Sequence, residues 1–73
     1  MIHFINPRTL QEVVLSKDGD LCHIRTYTPT TGWSVEGTLP RGHEAAYEVV
    51  GHAQAQGWVL HPESPESPEE FIN

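Results

Sequence analysis

The chain has 73 residues, ten of them Asp or Glu against four Lys or Arg, and a formal net charge of −6 at pH 7. Such a length allows one domain at most, and a domain this small buries a smaller share of its surface than a larger one. The acidic balance argues against a nucleic-acid binder and against a basic membrane-surface helix, because both take affinity from Lys and Arg, and no apolar run approaches the ~20 residues of a membrane span.

Met1 to Gln11 has no basic n-region, no apolar run of signal-peptide length and no small-residue cleavage site, so a soluble, cytoplasmic protein is expected. Ile2, Phe4 and Ile5 are apolar, but Asn6-Pro7 ends the run quickly. The pattern leaves open whether this stretch adds a strand. Leu10–Ser16 is β-branched and apolar and predicts a first strand, closed by the turn residues Lys17-Asp18-Gly19-Asp20.

Leu21–Thr28 predicts a second strand, with Cys22, Ile24 and Thr26 on one face and His23, Arg25 and Tyr27 on the other. After the turn residues Pro29-Thr30-Thr31-Gly32, Trp33–Leu39 predicts a third, with Trp33, Val35 and Leu39 inward and Gly37 at a bulge or a close helix approach. Short turns between consecutive strands imply an antiparallel meander.

From His43 to Gln56 the period changes, and Ala46, Val49, Val50 and Ala53 form one stripe of an amphipathic helix. Gly57 is placed as the residue beyond its C-cap and Trp58 for the accompanying hydrophobic contact, whereas no Ser, Thr, Asp or Asn stands at its start. Trp58-Val59-Leu60 returns along the core as an optional fourth strand. The expected fold is α+β, a βββα or βββαβ sheet of three or four antiparallel strands with one helix on one face. Its core would be Val13, Leu15, Cys22, Ile24, Trp33, Val35, Leu39, Ala46, Val49, Val50, Ala53, Trp58 and Leu60, within a domain spanning residues 1–60. A core this thin makes a homodimer a further expectation.

Residues 61–73 differ in kind. Pro62, Pro65 and Pro68 recur every third residue, and Glu63, Glu66, Glu69 and Glu70 give the segment −4 with no basic residue. That composition predicts a flexible, extended acidic tail without helix. A sharper reading makes Glu69, Glu70, Phe71 and Ile72 a short recognition segment. Without the tail, six acids and four bases leave the body at −2.

Chemistry-bearing motifs are scarce. Zinc ligands normally arrive as close pairs on one element, and none of His3, His23, His43, His52 and His61 has such a partner in sequence. His43 and His52 fall on opposite sides of the helix, and Cys22 and His23 on opposite faces of a strand. These histidines therefore read as scattered surface residues, with no metal and no cofactor expected. Cys22 reads as a small buried apolar residue, since no nucleophile, base and orienting group form a set. Gly32, Gly37 and Gly42 do not make a phosphate loop, and Ser16 and Ser34 lack an elbow motif.

Two surfaces stand out as candidate partner contacts. Glu44 and Glu48 form an acidic stripe on the outer helix face, and His23, Arg25 and Tyr27 share the strand face away from the helix; Tyr and Arg are enriched in binding hot spots. In size, charge and order of elements the chain resembles the compact host-directed proteins of bacteriophages and mobile elements, which implies a non-enzymatic module that modulates, by inhibition, one protein partner. A structural or accessory subunit completing a larger assembly is the alternative from another class. A small metal-dependent or thiol enzyme is the third.

Overall fold

The computed structural model describes residues 1–72. In chain order its elements are β1 (Ile2–Ile5), β2 (Glu12–Asp18), β3 (Leu21–Thr28), β4 (Gly32–Trp33), β5 (Gly37–Leu39), α1 (Gly42–Ala55), β6 (Val59–Leu60) and α2 (Pro68–Ile72). The strands form one six-stranded sheet in the order β4-β3-β2-β1-β6, with β5 also on β3, and the pairings are antiparallel. The expected α+β class with an antiparallel sheet and one main helix holds, but the sheet has six strands rather than three or four.

The undecided N-terminal stretch is β1. Ile2 and Phe4 pair with Leu15 and Val13 on the helix side and are fully buried, while His3 and Ile5 alternate to the other face. Asn6 ends the strand by an Asx turn, its Oδ1 accepting the Arg8 N–H at 2.9 Å and the Thr9 N–H at 3.3 Å. Leu10 then takes a left-handed φ of 62° and is exposed, so β2 begins at Glu12 rather than at Leu10.

The expected third strand is broken in two, which corrects its inward set. β4 opposes Trp33 to Tyr27, whereas β5 opposes Gly37 to Ile24 and Leu39 to Cys22, an offset that differs by one residue. Ser34 occupies the break, its N–H donating to the Thr26 carbonyl at 2.8 Å and its Oγ accepting the Thr26 N–H at 3.0 Å. A one-residue slip reverses the faces of a strand. Trp33 thus shares the Tyr27 side while Leu39 stays on the helix side, and Val35 is 90% exposed. Trp33, Val35 and the half-exposed Leu60 leave the expected core, and Ile2, Phe4 and Phe71 enter it.

α1 lies across the other face, burying Ala46, Val50 and Ala53 with Val49 packed against them. Its C-terminus closes as the sequence predicts: the Trp58 N–H donates to the Ala53 carbonyl at 3.0 Å and the Gly57 N–H to the Gln54 carbonyl at 3.1 Å, with Gly57 at φ +85°. Its uncapped start is held by the β2–β3 hairpin instead. The Gly42 N–H donates to the Asp20 carbonyl at 2.6 Å, and a Cβ on residue 42 would stand 2.6 Å from the Leu21 oxygen.

Residues 61–72 of the segment expected to form an acidic tail lie along the body, and Asn73 falls outside the described residues. The Ser64 Oγ accepts the His3 N–H at 3.1 Å, and the Glu66 carboxylate meets the Met1 ammonium. Pro68 does not prevent a helix because it stands at the first helical position of α2, where its missing N–H costs nothing. Ser67 and Glu70 cap that turn reciprocally: the Ser67 N–H donates to Glu70 Oε1 at 3.0 Å and the Glu70 N–H to Ser67 Oγ at 3.2 Å. α2 thereby seats Phe71 in the core, 1% exposed, with Lys17 Nζ 5.1 Å from its ring centre.

Candidate functional site

Because α1 and α2 add their apolar residues to one side of the sheet, the opposite side carries mainly polar and aromatic residues, with Ile5 and Val14 among them. Strand register arranges them in rows. Ile5, Glu12, Tyr27 and Trp33 oppose one another across β1–β4; His3, Val14 and Arg25 form the next row; Ser16, His23 and Thr38 the third.

Trp33 is the centrepiece. Its ring lies 5.4 Å from Tyr27 and 6.0 Å from His3, both tilted, and the Arg25 guanidinium carbon is 5.3 Å from its centre. Arg25 Nε also donates to the Ser34 carbonyl at 3.3 Å, which holds the cation across the break between β4 and β5. Aromatic–aromatic and cation–π pairs of this kind stabilise a ridge even where it is half exposed. Beside it opens a groove of about 310 Å³, floored by Val14 and Ser16 and walled by Arg25, Trp33, Met1 and Glu36. At the far end His23 meets Thr38 Oγ1 at 3.2 Å, Glu36 at 3.5 Å and Asp18 at 3.7 Å.

At the β1–β6 end three residues converge. His3 and His61 stack in parallel with ring centres 4.0 Å apart, and Glu12 Oε1 stands 2.6 Å from His3 Nε2 and 3.7 Å from His61 Nε2. The His61 N–H donates to the His3 carbonyl at 2.8 Å, so the ladder beyond β6 brings the two rings side by side. His61 Nδ1 accepts the Glu63 N–H at 3.0 Å, which leaves the proton of the neutral ring on Nε2, facing the carboxylate. All three side chains are largely shielded.

The sequence-derived candidates separate in space. His23, Arg25 and Tyr27 do share the open face. Glu44 and Glu48 are exposed on α1, against the opposite side of the sheet, where Glu44 pairs with Arg41 at 3.1 Å. In the tail segment, Glu70 is engaged in the α2 cap and Phe71 in the core, with Ile72 packed on it. Hydrogen bonds from the Ser67 N–H and then its hydroxyl hold the Glu70 carboxyl below its ordinary value of 4.5. Burial pushes the Cys22 thiol above its ordinary 9.0 while Lys17 pulls the other way, so Cys22 stays a protonated core residue at neutral pH.

Residue-by-residue reading missed His3, Glu12, His61 and the outward turn of Trp33. The available signal was the alternation of Ile2-His3-Phe4-Ile5 and of Leu60-His61, which places both histidines on the side away from the core once both segments are strands. Reading the five histidines as scattered does not describe these two, which stack. Among the described residues no helix is long and apolar enough to cross a membrane. Comparison of the chain with protein-family models, with curated proteins and with solved structures finds no match.

Proposed function

We propose that this protein is a small non-enzymatic binding module that modulates one protein partner, and that the contact is the open face of the sheet around Trp33, Tyr27 and Arg25. The observation that carries this reading is Trp33, a large aromatic 43% exposed, steadied by Tyr27 and Arg25 and bordered by a groove. Trp, Tyr and Arg side chains that already rest on one another lose less freedom on association, and these residue types dominate interface energetics. Asp18, Glu36 and Glu66 stand around this face, and the chain carries −6 overall. The partner's matching surface is therefore an apolar pocket with a basic rim, and covering it inhibits whatever that surface does.

The test is quantitative enrichment from cells of the source organism with wild-type protein beside Trp33→Ala and Arg25→Ala, with circular dichroism confirming that the variants fold. One partner held by the wild type and lost at least tenfold by both variants supports the reading. A partner held equally by all three overturns it. Light scattering on the purified chain identifies a second copy as the occupant if the mass is doubled and falls to that of a monomer in Trp33→Ala.

The outer edge of β6 favours a second reading, an accessory subunit that extends a partner's sheet. Val59 and Leu60 are exposed there, and β6 ends the strand order. Under that reading Val59→Lys abolishes retention while Trp33→Ala leaves it intact.

A further inference from the structure

We infer that His3, Glu12 and His61 form a binding site for one divalent transition-metal ion, with zinc as the reference ion. The inference is independent of the protein-binding reading. One ligand atom from each residue lies within 4.8 Å of the other two. Two imidazoles and a carboxylate are the donor set that borderline ions such as Zn²⁺, Co²⁺ and Ni²⁺ prefer.

Tetrahedral zinc with bonds of 2.0–2.2 Å keeps its ligand atoms about 3.3 Å apart. The separations of 3.7 Å from Glu12 Oε1 to His61 Nε2 and 2.6 Å to His3 Nε2 fall on either side of that spacing. The two imidazoles lie face to face, 2° from parallel with centres 4.0 Å apart. Binding one ion therefore requires them to turn out of the stack until both Nε2 lone pairs, which lie in the ring planes, converge on it; the backbone already holds the three positions. His3 on β1 and Glu12 on β2 are diagonal neighbours in an antiparallel pair, and His61 is tied to His3 by a 2.8 Å ladder hydrogen bond. Two of the three positions, His3 and Glu12, stand on strands, which hold ligands more exactly than loops do. Three protein ligands leave a fourth position for water or an incoming donor.

Binding has one structural consequence. A metal on His61 Nε2 displaces the proton held there, which moves through solvent to Nδ1. Nδ1 then no longer accepts the Glu63 N–H, and that hydrogen bond opens. Metal uptake is therefore felt in the turn that leads into the C-terminal segment, and the Glu63 amide reports it.

The test uses the full, untagged chain after chelator treatment. Calorimetric titration with Zn²⁺ is expected to show one equivalent bound in the micromolar range or tighter, and Co²⁺ to give the intense visible bands of a four-coordinate site. His61→Ala and Glu12→Gln should each weaken binding at least tenfold, whereas the double variant His43→Ala/His52→Ala should bind as the wild type does. In the unaltered chain, nitrogen-detected NMR should show Zn²⁺ shifting Nε2 of His3 and His61 and the Glu63 amide losing protection, which decides the matter even if a variant fails to fold. Less than one equivalent bound, binding that survives in His3→Ala/His61→Ala, or shifts confined to His43, His52 or the N-terminal amine would overturn the proposal.

Discussion

The two faces of this sheet are built from the same strands and obey different rules. On the helix side, Ile2, Phe4, Val13, Leu15 and Cys22 are buried together with Val50 and Phe71, and any apolar residue of the right volume serves. On the open side, the neighbours are specific in kind: two stacked imidazoles on a carboxylate, an indole between a phenol and a guanidinium, a histidine flanked by acids. Stability belongs to the first face. The partner contact proposed above lies on the second, whose polar and aromatic contacts are not needed to exclude water from a core. The contrast predicts that substitutions on the two sides differ in what they change, and that prediction can be broken.

The largest effect belongs to Phe4→Ala. Truncating a buried Phe costs about 3–5 kcal/mol, and a domain of this size holds only on the order of 5 kcal/mol, so the variant should be largely unfolded by denaturant titration or near it. Phe71→Ala extends the comparison to the C-terminal segment. If α2 completes the covered face, the loss is about 3 kcal/mol, as for other buried aromatics; a change below about 0.5 kcal/mol, typical of surface sites, would place the segment outside the core.

Gly42→Ala probes the junction between α1 and the hairpin. The new Cβ meets backbone at 2.6 Å, which cannot rotate away, so overpacking of about 1–3 kcal/mol should lower the midpoint of thermal unfolding. Trp33→Ala on the open face should cost about 1 kcal/mol or less, the worth of its aromatic and cation–π pairs, while removing partner retention. A loss as large as that of Phe4→Ala would erase the distinction between the faces.

The smallest effect is a pH dependence. The Glu70 carboxyl is held below its ordinary value in the folded chain, so its contribution is present above the unfolded value near 4.5 and is lost as pH falls through the folded one. Wild type and Glu70→Gln should therefore differ slightly in thermal midpoint at neutral pH and converge in acid. A gap that widens as pH falls would contradict the capping role.

Much of the covered face was legible. The alternation of Val13 and Leu15, the pairing of Cys22 with Ile24 and the stripe Ala46, Val50, Ala53 all follow from periodicity, and Gly57-Trp58 marked the helix end. What escaped did so for identifiable reasons. The run Ile2–Ile5 is short and cut by Asn6-Pro7, and only pairing to β2 reveals its burial. The proline spacing after Leu60 masked the Ser67-Pro68-x-Glu70 capping signal, in which proline starts a helix instead of breaking one. Trp33 reads as inward from a continuous alternation, and a single extra residue at the Ser34 break turned it outward.

The candidate site was the least legible part, because its members are distant in the chain. His3 and His61 lie at opposite ends of the sequence and meet only when β1 and β6 pair. The −6 charge illustrates the same division. Composition alone determined that four of the ten acids fall in the C-terminal segment. Only the fold decided that two of them are tied down there, Glu66 at the N-terminal ammonium and Glu70 in the α2 cap. Local periodicity and turn chemistry act between neighbours and can be read along the chain, so the sequence by itself determined the class of fold, the main helix and most of the buried stripe. Strand order, register and the docking of the C-terminal segment depend on contacts between residues far apart, and those decided which side chains face one another on the open sheet.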